Sequence, residues 1–177
     1  MTHYDYQETF RRLYEKALDL YRQGNRDKDG YFDDQEKAFI AANGWRAQDF
    51  YDYAEDRVGG DEPSYEIALT IEEVRRDYFL HMQKGKPSGK TISEDSLPPK
   101  KEAVRGIEWL PRILAKARGK IMGELPDEIM YCCGGDRAFL KRHDIHPAEF
   151  LRHVWGHMDN EEAIVDFVES RSPAVTA

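Results

Sequence analysis

Apolar positions recur every three to four residues through most of this chain, the spacing that lays a continuous apolar stripe along one side of a helix. Between Tyr4 and Gln23 the stripe is Tyr6, Phe10, Leu13, Ala17 and Leu20, with Tyr14, Leu18 and Tyr21 beside it, and Gly24 ends it. Asp34 to Asn43 reads as a short second helix that buries Phe39 and Ala42, stopped by Gly44. Ala47 to Val58 is a third, rich in Phe50, Tyr51 and Tyr53 and ended by Gly59-Gly60. Pro63 and Ser64 open a long fourth helix reaching Gln83, with Ile67, Ile71, Val74, Tyr78 and Met82 inward.

The period then breaks. Gly85, Pro87, Gly89, Pro98 and Pro99, spaced by Lys and Ser, mark an irregular linker, with Lys90-Thr91-Ile92 the best place in it for a short strand. A fifth helix, Glu108 to Met122, tolerates Pro111 in its first turn, where a missing N–H costs nothing. It buries Leu110, Ile113, Leu114, Ala117 and Ile121. Glu128 to Cys133 reads as extended, and Gly134-Gly135-Asp136 as a turn whose Asp136 caps a helix running to His143. Pro147 starts another helix, with Phe150, Leu151 and Val154 inward. Asp159 and Glu162 start the last, burying Ile164, Phe167 and Val168, and the chain after Ser170 reads as a frayed tail. The expected fold is all-α, seven or eight short helices in one compact globule with a minor extended segment near 128–133. Its expected parts are a four-helix region over 1–85, a linker over 86–106 and a helical region over 107–177, the first and last sets of helices meeting across the linker.

Composition narrows what such a fold can do. At 40% hydrophobic and 34% charged, the 177 residues suit a globule with a real core and a heavily charged surface. The net charge of −8 sits mostly in the first half: residues 1–85 carry 12 Lys and Arg against 19 Asp and Glu. That balance argues against nucleic acid, whose binding rests on neutralising phosphates. No stretch reaches the 18 apolar residues of a membrane span and the first residues lack a leader pattern, so a cytoplasmic location without membrane attachment is expected. Two adjacent cysteines make no disulfide framework, in keeping with a reducing compartment.

One stretch has the spacing of a cation loop. In the twelve residues from Asn25 to Glu36, oxygen-bearing side chains stand at positions 1, 3, 5, 9 and 12 (Asn25, Asp27, Asp29, Asp33, Glu36), with Gly30 at position 6. This is the EF-hand arrangement, in which alternate side chains, the Tyr31 carbonyl and a bidentate terminal Glu surround calcium. It departs from the pattern in three ways: an amide at position 1, an aromatic residue, Phe32, at position 8, and no partner loop. The plain alternative is a helix–loop–helix turn in which Asp33 or Asp34 caps the second helix.

A second candidate chemistry is that of a thiol. Cys132 or Cys133 precedes Gly134-Gly135 at a helix start, where the dipole and free N–H groups favour a thiolate. Asp136 competes for those groups, and His143 stands as the candidate base. The bland reading is that a buried cysteine packs as a small hydrophobe. Four of the six histidines fall between 143 and 157, and His153 and His157 have the four-residue spacing of a shared metal, but no C-x-x-C pair completes a zinc set. Arg112, Lys116 and Lys120 form a basic row along the fifth helix, suited to a small anionic ligand, to pairing with the acidic half or, most simply, to solvation.

Trp109-Leu110-Pro111-Arg112, Lys116-Ala117-Arg118, Tyr131-Cys132-Cys133-Gly134-Gly135-Asp136 and the His146 to Phe150 helix start together resemble a bacterial domain-of-unknown-function family, number 5069. The resemblance covers best Ile107 to Val168. It implies a small helical domain and no particular activity. Two function classes follow from the residues: a binding module taking one calcium ion, and a thiol-dependent enzyme or redox protein. A structural or interaction domain without metal is the third. Which protein partner or small anionic ligand it meets is not written in these motifs.

Overall fold

The computed structural model describes residues 3–172. The chain divides between Pro87 and Ser88 into two units, each closed on its own core. Among the described residues eight α-helices carry the fold, and the one sheet is a two-residue-per-strand hairpin. This is the mostly helical architecture that the periodicity predicts.

In the first unit α1 (Tyr6–Arg22) lies against α3 (Ala47–Gly60) and α4 (Tyr65–Asp77), with α2 (Asp34–Ala42) between α1 and α3 in the chain. Phe10, Leu13, Tyr14 and Ala17 of α1 are buried, and Phe10 meets Trp45 edge-on and Phe50 at a tilt, with ring centres 5.1 and 5.0 Å apart. Such aromatic pairs add to the area they bury. In α2 the inward residues are Ile40 and Glu36 rather than Phe39 and Ala42. Cations of α1 draw Glu36 inward, and Ile40, one turn further on, shares its face. The fourth helix passes from α into a single π turn, Tyr78–Met82. The extra residue in that turn rotates the following side chains, so that Phe79 is buried and Met82, expected inward, is exposed.

The second unit includes most of the stretch read as a linker. Ile92 N–H donates to the Glu124 carbonyl at 2.8 Å, and Arg112 donates to the Pro98 carbonyl at 2.9 Å. Strands β1 (Ala103–Val104) and β2 (Ile107–Glu108) pair antiparallel through Arg105 and Gly106, both at positive φ, the conformation that closes a two-residue hairpin without splaying the strands. The extended segment thus lies here and not at 128–133, where the backbone makes successive turns. Helix α5 (Leu110–Met122) packs on α7 (Pro147–Gly156). Helices α6 (Gly134–Arg142) and α8 (Glu161–Arg171) complete the unit, with Phe139, Phe150, Val154 and Ile164 in its core. Asn160, not Asp159, caps α8 through a bond from Ala163 N–H. Of the tail expected after Ser170, Arg171 still belongs to α8, and residues 173–177 lie outside the described residues.

Candidate functional site

The most unusual chemistry lies where α5 faces the start of α6. Cys133 is extended (φ −64°, ψ 173°) and stands at the N-cap of α6, so Gly134 and Gly135 are its first helical residues. Asp136 is therefore not the cap, as its residue type suggests, but a side chain inside the first turn, turned inward and fully buried. It is drawn in by three donors. Trp109 Nε1 donates to Oδ1 at 3.0 Å, Cys132 N–H donates to Oδ2 at 3.0 Å, and the Lys116 ammonium pairs with Oδ2. The spacing along α5 places Lys116 in a solvated row; in the fold its side chain is 4% exposed, and Lys120 is buried as well. A charge so placed stays in the core only when a counter-charge meets it there.

The same ammonium lies 3.2 Å from Cys133 Sγ. A half-buried cysteine at a helix N-cap, with its sulfur in contact with a cation, has the surroundings of a nucleophilic cysteine. Its neighbour differs. Cys132 is fully buried at φ 69°, and burial above all pushes its thiol up to about 12. The Trp109 ring lies against Gly135, where a Cβ would overlap its six-membered edge. Beside that contact a cavity of about 200 Å³ is lined by Lys100, Glu108, Trp109, Gly135, Phe139 and Arg142.

His143 is not brought to this thiol. It caps the opposite end of α6, roughly 15 Å away by helical rise. There its ring packs on Phe139 at 4.6 Å and its Nδ1 is 2.8 Å from Ser172 Oγ. Burial, aided by Arg142, lowers its pKa. His153 and His157 do stack, 4.3 Å between ring centres, but His153 Nε2 donates to the Ala163 carbonyl and His157 Nδ1 lies 2.9 Å from the His153 carbonyl.

The loop from Asn25 to Glu36 is curled at its start. Asn25 Oδ1 accepts Asp27 N–H at 2.8 Å, and residues Lys28–Gly30 form a 3-10 turn that includes Asp29. Tyr31 is buried and its hydroxyl donates to the Asn25 carbonyl at 2.7 Å. The end of the loop is a capping box: Asp33 Oδ1 accepts Glu36 N–H, and Glu36 Oε2 accepts Asp33 N–H. Both carboxylate oxygens of Glu36 also hold cations from α1, Arg12 at 2.7 Å and Lys16 at 2.6 Å. Burial alone would raise the Glu36 pKa; the hydrogen bonds from Lys16 and Arg12 outweigh it and bring the value below the ordinary one. Among the described residues no three His, Cys, Asp or Glu side chains converge where they would hold a metal ion.

Sequence reasoning passed over Trp109 and Arg12 as site residues and saw Lys116 only as one of a basic row along the fifth helix. The available signal was an acidic residue three places past a cap, which can reach back to a cation on the preceding helix. Comparison with protein-family models, with curated proteins and with solved structures gives no match. Among the described residues no helix is long and apolar enough to cross a membrane.

Proposed function

We propose that Cys133 is a nucleophilic thiol that exchanges with disulfides, with the Lys116 ammonium beside its sulfur and Asp136 and Trp109 holding that lysine's charge in place. The observation that supports this reading best is the buried ammonium 3.2 Å from the sulfur of half-buried Cys133 at the N-cap of α6. In the exchange the Cys133 thiolate attacks one sulfur of an external disulfide. A new S–S bond forms, the old one breaks, and the leaving sulfur departs as a thiolate. No net oxidation occurs and no further reactant is needed. Cys132 takes no part, since its thiol is buried and raised.

An aromatic disulfide reagent tests this directly. At pH 7 the folded protein should release close to one equivalent of aromatic thiolate quickly, with Cys133→Ser abolishing the fast phase and Cys132→Ser leaving it. Lys116→Met should slow it by roughly tenfold or more. Release that waits for denaturant, or that is indifferent to Lys116, overturns the reading.

A calcium ion in the Asn25 to Glu36 loop is the second reading, supported by the curl of Asn25 over Asp27. It requires Glu36 to exchange Arg12 and Lys16 for the metal. Millimolar calcium should then raise the melting temperature, and Glu36→Gln should abolish the rise; an unchanged melt removes it.

A further inference from the structure

We infer that the two units are copies of one helical unit displaced by 100 residues, and that the thiol at 133 stands where the first copy has a capping carboxylate. The correspondence is positional. Helix α2 covers 34–42 and α6 covers 134–142; α1 and α5 end at 22 and 122; α3 and α7 begin at 47 and 147. Over these spans Arg12 matches Arg112, Lys16 matches Lys116, Ala17 matches Ala117, Tyr31 matches Tyr131, Ala38 matches Ala138, Phe39 matches Phe139 and Phe50 matches Phe150, with no gap. Burial follows the same frame: Phe10 and Leu110, Leu13 and Ile113, Ile40 and Leu140, Trp45 and Ile145, Ala54 and Val154 are all core residues. The turns agree too. Trp45 N–H donates to the Ile40 carbonyl and Ile145 N–H to the Leu140 carbonyl, while Gly44 and Asp144 both take positive φ. The fourth helix of each copy starts from a side-chain cap, Ser64 and Asn160, after a third helix that is shorter in the second copy.

The pairing of a buried carboxylate with a lysine of the preceding helix is part of this frame. Glu36 and Asp136 are equivalent buried carboxylates in the first turn of the second helix, and each binds the equivalent lysine of the first helix. Lysine and carboxylate therefore belong to the architecture of both copies. Two things differ: the lysine's burial, 37% exposed at Lys16 against 4% at Lys116, and the cap. In the first copy Asp33 accepts a helix amide at 2.9 Å, a task that suits an anion. In the second copy the same place is held by Cys133, beside the lysine. The structural lysine thus becomes a positioning residue for sulfur in the second copy only. That last step rests on the thiol reading given above; the duplication does not.

Two sets of variants test the inference. Cys133→Asp restores the first copy's cap and should melt higher than Cys133→Ala by a few degrees. A melt at or below that of the alanine variant overturns the equivalence, whatever the reactivity of the thiol. Conversely, Asp33→Cys in a Cys133→Ser background should react with the aromatic disulfide within about tenfold of the rate of Cys133. Lys16→Met should slow that reaction, as Lys116→Met slows the native one. If the thiol introduced by Asp33→Cys is indifferent to Lys16 while Cys133 responds to Lys116, the claim that the two caps share one environment is overturned. Slow reaction of Cys133 itself sinks the thiol reading alone, and the melting comparison still judges the duplication.

Discussion

Gly134 and Gly135 are adjacent at the start of α6, yet a methyl group at each meets opposite circumstances. At Gly134 the nearest atom to an added Cβ is Arg137 Nη2 at 3.8 Å, an ordinary contact with a flexible side chain. The gain in helix propensity should dominate, and Gly134→Ala should be neutral or stabilising by about 0.5–1 kcal/mol. At Gly135 the Cβ would run into the Trp109 ring. Relieving that overlap moves the indole whose Nε1–H donates to Asp136, so Gly135→Ala should cost about 1–3 kcal/mol. Denaturant melts of the two variants check the sign, and the emission of Trp109 should shift only in the second.

The start of α2 shows how a single element is specified. Asp33 and Glu36 satisfy each other's backbone N–H groups, so two of the amides that a helix start leaves open are closed by side chains. Asp33→Ala should cost about 1 kcal/mol, read as a lower denaturation midpoint with unchanged slope. Much of this level was legible in the residues. The periodicity located α1, α2, α3, α5 and α7 to within a few positions, because each buries one stripe and is punctuated by Gly, Pro or Asp. It failed where a tertiary partner overrode local preference. Asp136 is the better cap by residue type, but Lys116 and Trp109 draw it into the core, and the cap falls to Cys133. The π turn at Tyr78–Met82 is invisible to a strict helical period and misplaced Met82. The copy relation was present in the numbering itself but masked by substitutions such as Trp45 for Ile145, which preserve burial while changing composition.

For the molecule as a whole, the net charge of −8 makes protonation the natural lever on stability, and the direction at each pH follows from which groups the fold perturbs. His143 and His146 in the second unit both have pKa values lowered from the ordinary 6.5, in each case first by burial and then by a neighbouring arginine. His146 Nδ1 also accepts Ala148 N–H at the cap of α7, which it can do only while that nitrogen is unprotonated. The unfolded chain therefore binds these protons more readily, so the stability they contribute is fully present above pH 6.5 and is lost as pH falls through the folded values. Glu36 in the first unit acts lower on the scale. Its folded pKa is below the ordinary 4.5, so its contribution holds above that value and disappears as acid protonates the carboxylate that binds Arg12 and Lys16. Melting temperature against pH should accordingly decline in two stages, one beginning near 6.5 and one near 4.5. His146→Asn, which supplies a cap that does not titrate, should flatten the first stage, and Glu36→Gln should flatten the second while lowering stability at neutral pH. A decline that begins only below 4.5 and is unaffected by His146→Asn would show that the histidines do not couple to folding.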